Sequence, residues 1–123
     1  MAKNKALIVG ISGDRGSFCE EATQFYLQKH NVENSDIKYL ISVEGVLSAL
    51  TSNEIEKGIF PIENSNGGVV LEAIYGMAKY VFTVEEFFDI DVRHNLLVTP
   101  GTKREDIGLI TSHDQALKQC RLY

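Results

Sequence analysis

Residues Gly58–Val70 read Gly-Ile-Phe-Pro-Ile-Glu-Asn-Ser-Asn-Gly-Gly-Val-Val, and the pattern of the sequence changes twice within this stretch. Residues 59–62 form a short apolar run that predicts a buried strand, and residues 63–68 form a polar elbow. After the elbow, apolar residues recur at the spacing of a helix, at Val69, Val70, Ala73, Ile74 and Met77. The sequence therefore predicts a strand, a polar elbow and a helix in that order.

The predicted elbow joins groups that can bind a small anion. The first backbone N–H groups of a helix have no internal partner, and together with the helix dipole they favour negative charge. Glu63, Asn64 and Ser65 add an acid, an amide and a hydroxyl at the same place. Gly67 and Gly68 leave room for a ligand to approach the backbone closely. The alternative is an N-cap and a turn with a surface glutamate, since Asn, Ser and Gly cluster at turns for local reasons.

The composition favours a globular domain whose ligands are small molecules. The chain has 123 residues, of which 44% are apolar, and this suits one domain or one and a part. The formal net charge of -5 and the lack of a basic run argue against nucleic acid and against an anionic membrane as partners. No apolar run approaches the roughly 20 residues of a transmembrane helix, and no signal-peptide pattern precedes the first predicted strand.

The cysteines and histidines predict neither disulfides nor a metal site. Cys19 and Cys120 form neither a disulfide framework nor a CxxC pair, so we expect a reduced, cytoplasmic protein. His30, His94 and His113 lack metal-ligand spacing with one another and with the cysteines. We therefore expect no metal and no cofactor.

The predicted elements up to residue 79 follow the order β-α-β-α-β-α, which is typical of a parallel sheet covered by helices. Ser17 and Glu20 form a capping box at the start of the first helix. The glycine-bounded loop before it can hold an anion with Arg15 as the counter-charge; it matches neither GxGxxG nor a P-loop, and the alternative is a plain connector. The predicted strands are Ala6–Ile11, Ile37–Val43 and Gly58–Ile62, and the predicted helices run from Phe18 to about His30, from Ser42 through Leu50, and from Val69 to about Lys79.

Residues 80–99 break this order, because about twenty β-prone residues follow one another without a turn signal. A single strand of that length would extend about 60 Å, and one small sheet cannot use it. We therefore expect the segment to bend within residues 85–89 and to enter a second lobe near Val84. This divides the chain into residues 1–83 and residues 84–123.

The sequence predicts a second lobe that is incomplete. Ile107–Thr111 is typical of a strand, and Ser112 with Gln115 makes another capping box before a short helix. Two strands and one and a half helices make a poor core, so we expect either another chain to complete this lobe or the sequence to be a fragment of a longer one. The apolar surface of an unfinished lobe also predicts self-association.

Four stretches of the sequence resemble the motifs of one family. Gly13–Ala22 is similar to Gly-x-x-Gly-[Thr/Ala]-[Phe/Tyr]-Ser-Glu-x-Ala, and Pro61–Val70 is similar to Pro-[Ile/Val]-Glu-Asn-[Ser/Thr]-x-x-Gly-x-Val. Thr111–Arg121 resembles Ser-His-Pro-Gln-Ala-Leu-x-Gln-Cys, and His94–Leu97 fits His-x-Leu-Leu. The chain is identified by these motifs as a member of the prephenate dehydratase family, whose enzymes are carbon–oxygen lyases that convert prephenate to phenylpyruvate in phenylalanine biosynthesis.

The resemblance implies a fold and a set of site residues. The family's catalytic domain resembles a type II periplasmic-binding-protein fold, an α/β arrangement of three layers with a parallel or mixed sheet in each of two lobes. Its active site lies in the cleft between the lobes, with Ser112 and Gln119 contributed by the second one. The motifs carry over seven residues, which are catalytic Glu63, Asn64 and Ser65, and substrate-binding Ser17, Gly67, Ser112 and Gln119.

Departures from the family pattern bear on activity. Cys19 stands where the family usually has serine, and Asp114 stands where it has proline. The family's Thr-Arg-Phe motif, whose threonine is its leading candidate for the general acid, does not occur in these 123 residues, and Glu63 is the alternative proton donor. The ACT domain that senses phenylalanine is absent too. Three hypotheses stay open: a dehydratase that acts as a homo-oligomer or with a complementing chain, a non-catalytic module that binds an aromatic-pathway metabolite, and an inert truncated domain.

Overall fold

The computed structural model describes residues 5–65 and 67–120, and it has an α/β architecture. The strands are β1 (Leu7–Ile11), β2 (Ser35–Tyr39), β3 (Lys57–Ile59), β4 (Glu63–Asn64) and β5 (Gly68–Val69). The helices are α1 (Phe18–Lys29), α2 (Val43–Thr51), α3 (Leu71–Lys79), a 3-10 helix (Arg104–Asp106) and α4 (Asp114–Gln119). Within the described ranges, no helix is long and apolar enough to cross a membrane.

The main sheet is parallel, with β1 between β2 and β3, which confirms the predicted α/β class. The prediction of a strand over Ile37–Val43 was wrong at both ends. The Leu40 N–H still donates to the Ile11 carbonyl at 2.9 Å, but Ile41 has a φ of 69°, which a regular strand does not contain. The chain therefore leaves the sheet after Tyr39, and Ser42 is free to cap α2.

Serine side chains begin the first two helices, as predicted. The Ser17 hydroxyl accepts the Glu20 N–H at 3.2 Å at the start of α1. The Ser42 hydroxyl accepts the Gly45 N–H at 2.9 Å at the start of α2. Each bond satisfies a backbone donor that the helix itself leaves unpaired, so these two boundaries are fixed by local chemistry.

Apolar side chains cover both faces of the sheet, because residues alternate between faces along a strand. Val9 and Ile11 are fully buried and pack against Leu27 of α1. On the other face, Ile8 packs against a buried cluster that consists of Val46, Ala49 and Ile55. Because Val46 and Ala49 belong to α2, α1 and α2 lie on opposite faces and the sheet forms the middle of three layers.

Two strand glycines allow α2 to lie close to the sheet. A Cβ atom at Gly10 would be 2.6 Å from the Ile55 Cδ1, and a Cβ atom at Gly58 would be 2.5 Å from the Val46 Cγ1. Side-chain carbons cannot approach one another this closely, so a larger residue at either position would push α2 and its loop outward.

α3 packs on α2, and each end of α3 is bonded to the first turn of α2. The buried cluster between the two helices consists of Val43, Leu47 and Ala73. At one end the Glu72 carboxylate accepts the Val43 backbone N–H at 2.8 Å, so α3 supplies a cap for α2. At the other end Lys79 pairs with Glu44, and this hydrogen bond lowers the pKa of the Glu44 carboxyl and raises the pKa of Lys79.

Residues 86–94, here called the strap, run back along α1 from its C-terminal end, where Glu86 contacts Lys29, to its N-terminal end, where His94 contacts Phe18. The Glu86 carboxylate anchors the strap, because it accepts a hydrogen bond from Lys29 at 3.2 Å and lies 3.1 Å from the His30 Nε2. The Lys29 partner lowers the pKa of Glu86, and His30 adds to the effect. Further along the strap, the Phe88 ring contacts the Phe25 and Tyr26 rings of α1.

The predicted strands beyond residue 80 were wrong, because the described residues 80–120 contain no strand. Leu109, in the predicted strand Ile107–Thr111, is 81% exposed and lies beside no other strand. Alternation identifies residues that suit a strand, but a strand also needs a neighbour with which its backbone can pair. The division into residues 1–83 and 84–123 therefore stays a prediction.

Candidate functional site

The C-terminal ends of β1, β2 and β3 lie at one edge of the parallel sheet, here called the carboxyl edge. In open α/β sheets this is the edge at which ligands bind. The loop of residues 12–16 leaves β1 at this edge, and residues 60–62 leave β3 there. The Cys19 thiol, in the first turn of α1, donates to the Ile59 carbonyl at 3.2 Å. This contact places the motif Gly13–Ala22 next to the start of the motif Pro61–Val70.

Ser17 lies in a loop whose backbone is held by short-range hydrogen bonds. Its N–H donates to the Asp14 carbonyl at 3.2 Å, while the Glu20 carboxylate accepts the Gly16 N–H at 3.1 Å. The predicted capping box therefore differs in its second bond, which goes to Gly16 and not to Ser17. Gly16 has a φ of 80°, a conformation that costs glycine little. The Ser17 hydroxyl accepts one bond at the helix start and retains a hydrogen to donate.

Glu20 and Tyr39 tie this loop to the end of β2. The Tyr39 hydroxyl donates to the Glu20 carboxylate, and the Arg15 guanidinium lies 5.4 Å from the centre of the Tyr39 ring. The hydrogen bond from Tyr39 lowers the pKa of the Glu20 carboxyl, with a smaller contribution from the Gly16 N–H. The same bond raises the pKa of the Tyr39 hydroxyl.

We predict that the protein loses stability in acid as Glu20, Glu44 and Glu86 become protonated. Each carboxyl has a pKa below its ordinary 4.5, so the stabilisation is complete above pH 4.5 and is lost as the pH falls through the lowered values. Thermal unfolding followed by circular dichroism from neutral to acidic pH measures this loss. Tyr39→Phe should reduce the acid dependence, because it removes the main cause of the Glu20 shift. Tyr75→Phe, at a 70% exposed residue, is the control and should leave it unchanged; an equal effect of both substitutions would contradict the prediction.

Cys19 is a structural contact more than a reactive group. Its thiol is 3.2 Å from the Ile59 carbonyl and 3.9 Å from the Ser12 hydroxyl oxygen. Burial raises the pKa of the thiol, which keeps it protonated near neutral pH. A thiol can make the contacts that a serine hydroxyl would make here, although its hydrogen bonds are weaker.

The elbow forms a two-stranded hairpin and does not lead directly into a helix as predicted. β4 pairs antiparallel with β5, and the Val70 N–H donates to the Ile62 carbonyl at 2.9 Å at the base of the hairpin. Gly68 has a φ of 76°, and α3 begins only at Leu71, without a side-chain cap. The prediction that the helix starts at Val69 was therefore wrong, because Val69 and Gly68 pair with Glu63 and Asn64 and the helix starts only at Leu71.

The four predicted site residues of the elbow lie along this hairpin. Glu63 and Ser65 are exposed, whereas Asn64 and Gly67 are half-buried. Asn66 lies outside the described residues. The hairpin follows β3 at the carboxyl edge and offers an exposed carboxylate, an exposed hydroxyl and a partly shielded amide.

Gln119 reaches the start of α1 through two other side chains. The His94 Nε2 lies 2.6 Å from the Gln119 Oε1. The imidazole meets the Phe18 ring edge to face, with the ring centres 5.3 Å apart and the planes at 87°. Because Phe18 directly follows Ser17, the structure brings the predicted residues Ser17 and Gln119 to the same end of α1. A cleft that also includes the hairpin stays a prediction.

Ser112 does not have the predicted capping position. α4 begins at Asp114, so Ser112 lies two residues before the first helical residue, and it is exposed. The predicted capping bond of the Gln115 side chain lies outside what the structure describes.

Sequence analysis missed His94 and Tyr39 as neighbours of the site. His94 lies in the matched His-x-Leu-Leu motif, and this was the signal that could have identified it. Tyr39 carried no such signal, because its contact with Glu20 depends on how β2 lies beside β1.

A surface depression of about 360 Å³ lies between α1 and the strap and is distinct from these residues. It is lined by Glu21, Phe25, Asp89, Ile90 and Asp91. Three of the five lining residues are carboxylates, which repel an acidic ligand. Within residues 5–65 and 67–120, no group of three or more His, Cys, Asp or Glu is arranged to hold a metal ion.

Comparisons with known proteins agree on one family. A family model described as prephenate dehydratase matches residues 9–123. The chain is 27% identical to the bifunctional chorismate mutase/prephenate dehydratase of Stutzerimonas stutzeri, over 98% of this chain and 32% of that protein. It is 32% identical to the prephenate dehydratase of Methanocaldococcus jannaschii, over 98% of this chain and 42% of that protein. No solved structure matches the chain significantly.

The fold and the loops at the carboxyl edge define an α/β domain of the kind that binds small molecules where its strands end. The chain belongs to the prephenate dehydratase family. The two relatives described above are named as prephenate dehydratases, which are lyases of aromatic amino-acid biosynthesis. The chain spans 32% and 42% of the length of the two relatives described above.

Proposed function

We propose that this chain forms part of a prephenate dehydratase catalytic domain and binds prephenate at the carboxyl edge of its sheet. The observation that carries the proposal is the family match over residues 9–123, which includes the hairpin motif after β3. The named activity of relatives at 27% and 32% identity supports the same substrate. The reaction is the decarboxylating dehydration of prephenate to phenylpyruvate.

The reaction sets two requirements for the protein. Prephenate carries two carboxylates and a ring hydroxyl. The bond between the ring and one carboxylate breaks, and this group leaves as CO2. The electron pair of the broken bond stays with the ring and makes it aromatic, while the ring hydroxyl takes a proton and leaves as water. Because aromaticity drives these steps, the protein has to orient the dianion and deliver one proton.

The described side chains suit the first requirement. The half-buried amide of Asn64 and the hydroxyl of Ser65 can donate to one carboxylate, and Gly67 gives the ligand access to the hairpin backbone. Ser17 and Gln119, which both lie at the start of α1, can donate to the other. Each hydrogen bond to a charged carboxylate contributes about 1.5–3 kcal/mol, so a few such bonds suffice for specific binding. Ser112, exposed before α4, completes the proposed set.

In this proposal the proton comes from a residue that these 123 residues do not contain, namely the threonine of the Thr-Arg-Phe motif. A complementing chain would supply this threonine, whereas in a homo-oligomer every copy lacks it and the proton would have to come from a residue of this sequence. Glu63 is the alternative donor within this chain, because it is an exposed acid next to Asn64.

The proposal extends to the architecture. Residues 1–83 would form the first lobe, and residues 84–123 part of the second lobe, of a fold similar to a type II periplasmic-binding protein. The strap would then be the first crossing between the lobes, and the cleft would lie between the hairpin and Gln119. A reduced cytoplasmic setting fits a biosynthetic enzyme whose Cys19 serves as a packing contact.

Calorimetric titration of the chain with prephenate tests binding at the proposed site. We expect Asn64→Ala to weaken binding by more than about tenfold, because it removes a hydrogen-bond donor on the hairpin, and Glu63→Gln to tighten it, because it removes a negative charge next to the dianion. Both residues lie outside the buried clusters, so the melting temperature should change little. Glu54→Gln, at an exposed residue remote from the hairpin turn, is the matched control and should bind as the unmodified chain does.

Turnover separates the dehydratase from the other hypotheses. Phenylpyruvate formation should be detected when the chain is mixed with a polypeptide that carries the remaining catalytic residues, such as the corresponding part of the Methanocaldococcus jannaschii relative. Binding without turnover in every mixture would favour a non-catalytic module that binds an aromatic-pathway metabolite. Equal binding by the chain and its two hairpin variants would show that the site is misplaced.

A further inference from the structure

We propose that His94 is a positioning residue, which holds the side-chain amide of Gln119 at the start of α1 so that this amide can bind a substrate carboxylate. The proposal rests on the proposed function, because it takes prephenate as the ligand of Gln119. His94 acts through Gln119 and needs no contact with the substrate itself.

The distance between the two side chains carries the proposal. The His94 Nε2 lies 2.6 Å from the Gln119 Oε1, so the imidazole donates and the amide oxygen accepts. The oxygen end of the amide is therefore fixed against His94, and the NH2 end is directed away from it. A carboxylate needs a donor, and NH2 is the end of a glutamine that can provide one.

His94 is itself held by a rigid part of the fold. Its ring meets the Phe18 ring edge to face at 5.3 Å, an arrangement that aromatic rings favour. Phe18 is the first residue of α1, and the Ser17 hydroxyl fixes this end of the helix through the Glu20 N–H. Phe18 of α1 thus holds His94, and His94 holds the Gln119 side chain. Because α1 packs on the sheet, these contacts begin at a well-supported helix.

This support matters because α4 alone orders its side chains poorly. The helix has six residues, Asp114–Gln119, which is too short to be stable by itself in water. A glutamine on such a helix loses much side-chain freedom when it binds a ligand. A hydrogen bond that orients the amide before the ligand arrives reduces that cost and increases affinity.

A double-mutant cycle with prephenate as the titrant tests the proposal. We expect Gln119→Ala to weaken binding more than about tenfold and His94→Ala to weaken it about fivefold, and the double variant to bind no more weakly than Gln119→Ala. His94→Gln keeps a side-chain donor and should restore most of the affinity. His30→Gln is the matched control, because His30 is also an exposed imidazole and Lys29 still holds its partner Glu86. Additive losses in the double variant would overturn the proposal.

The amide signals of Gln119 report its position without any substrate. Nuclear magnetic resonance of the labelled chain, with the Gln119 signals assigned by their loss in Gln119→Ala, should show these signals shifted in His94→Ala and nearly restored in His94→Gln. Unchanged signals in His94→Ala would overturn the proposal. A chain that binds no prephenate contradicts the proposed function, and the same spectra then still decide whether His94 positions Gln119.

Discussion

Leu47→Ala lowers the free energy of unfolding by about 3 kcal/mol, the largest effect on stability that we expect from one substitution in this chain. Leu47 has no exposed area and packs between α2 and α3 against Val43 and Ala73. Gly76 of α3 lies so close that a Cβ there would be 3.0 Å from the Leu47 Cδ1. Because both ends of α3 are bonded to the first turn of α2, the two helices cannot readily close the space that the smaller side chain leaves.

Chemical denaturation followed by circular dichroism measures this loss. Leu97→Ala is the matched control, because it removes the same atoms from a side chain that is 89% exposed. We expect the control to change the free energy of unfolding by less than about 0.5 kcal/mol. If both variants unfold at the same denaturant concentration, α3 does not pack on α2 as the structure describes.

Phe88→Ala releases the strap from α1 and lowers the free energy of unfolding by about 2 kcal/mol. The Phe88 ring stacks on the Phe25 ring, with the centres 5.8 Å apart and the planes at 26°, and lies 5.9 Å from the Tyr26 ring. Phe88 is half-buried, so the loss is smaller than for a fully buried phenylalanine. Glu86 still holds one end of the strap through Lys29, and detachment should concentrate beyond residue 88.

Limited digestion with trypsin detects that detachment at Arg93, an exposed residue of the strap. Cleavage at Arg93 should be faster in Phe88→Ala than in the unmodified chain, because a segment has to leave the surface before a protease can bind it. Phe87→Ala is the control, since Phe87 is the adjacent residue of the same type and is 69% exposed. A strap that is cleaved equally fast in both variants would contradict the contacts of Phe88.

The sequence predicted the fold well where each element buries one of its own faces. Val9 and Ile11 belong to the apolar run that predicted the first strand, and Ser17 and Ser42 cap helices through bonds that span three residues. These signals are local, so the order of β1, α1, β2, α2 and β3 could be predicted without any knowledge of packing.

The same method failed where the outcome depended on distant partners. Residues 107–111 have the composition of a strand, yet the described residues offer them no neighbouring strand. In the elbow the opposite occurred, because the Val70 N–H finds the Ile62 carbonyl and closes a hairpin where a helix start was predicted. Hydrogen-bond partners of this kind are decided by the path of the chain and not by the local pattern.

In the candidate site, too, the sequence indicated the residues but not the contacts between distant parts of the chain. The motifs indicated Asn64, Ser17 and Gln119 as site residues, and the structure brings Ser17 and Gln119 to one end of α1. The aromatic contact that joins them could not be derived from spacing, because Phe18 and His94 are separated by a long stretch of chain. A conformation of the strap along α1 had to be known first.

The hydrogen bonds between α2 and α3 also limit how the hairpin before α3 can move. Glu72, near the start of α3, and Lys79, at its end, both bind the first turn of α2, at Val43 and Glu44, so α3 cannot slide by a turn along α2 without breaking both bonds. The hairpin connects the end of β3 to the start of α3, which is itself bonded to α2. The base of the hairpin is closed by the hydrogen bond from the Val70 N–H to the Ile62 carbonyl, so a ligand that contacts Ser65 or Gly67 would meet a turn whose base is already ordered.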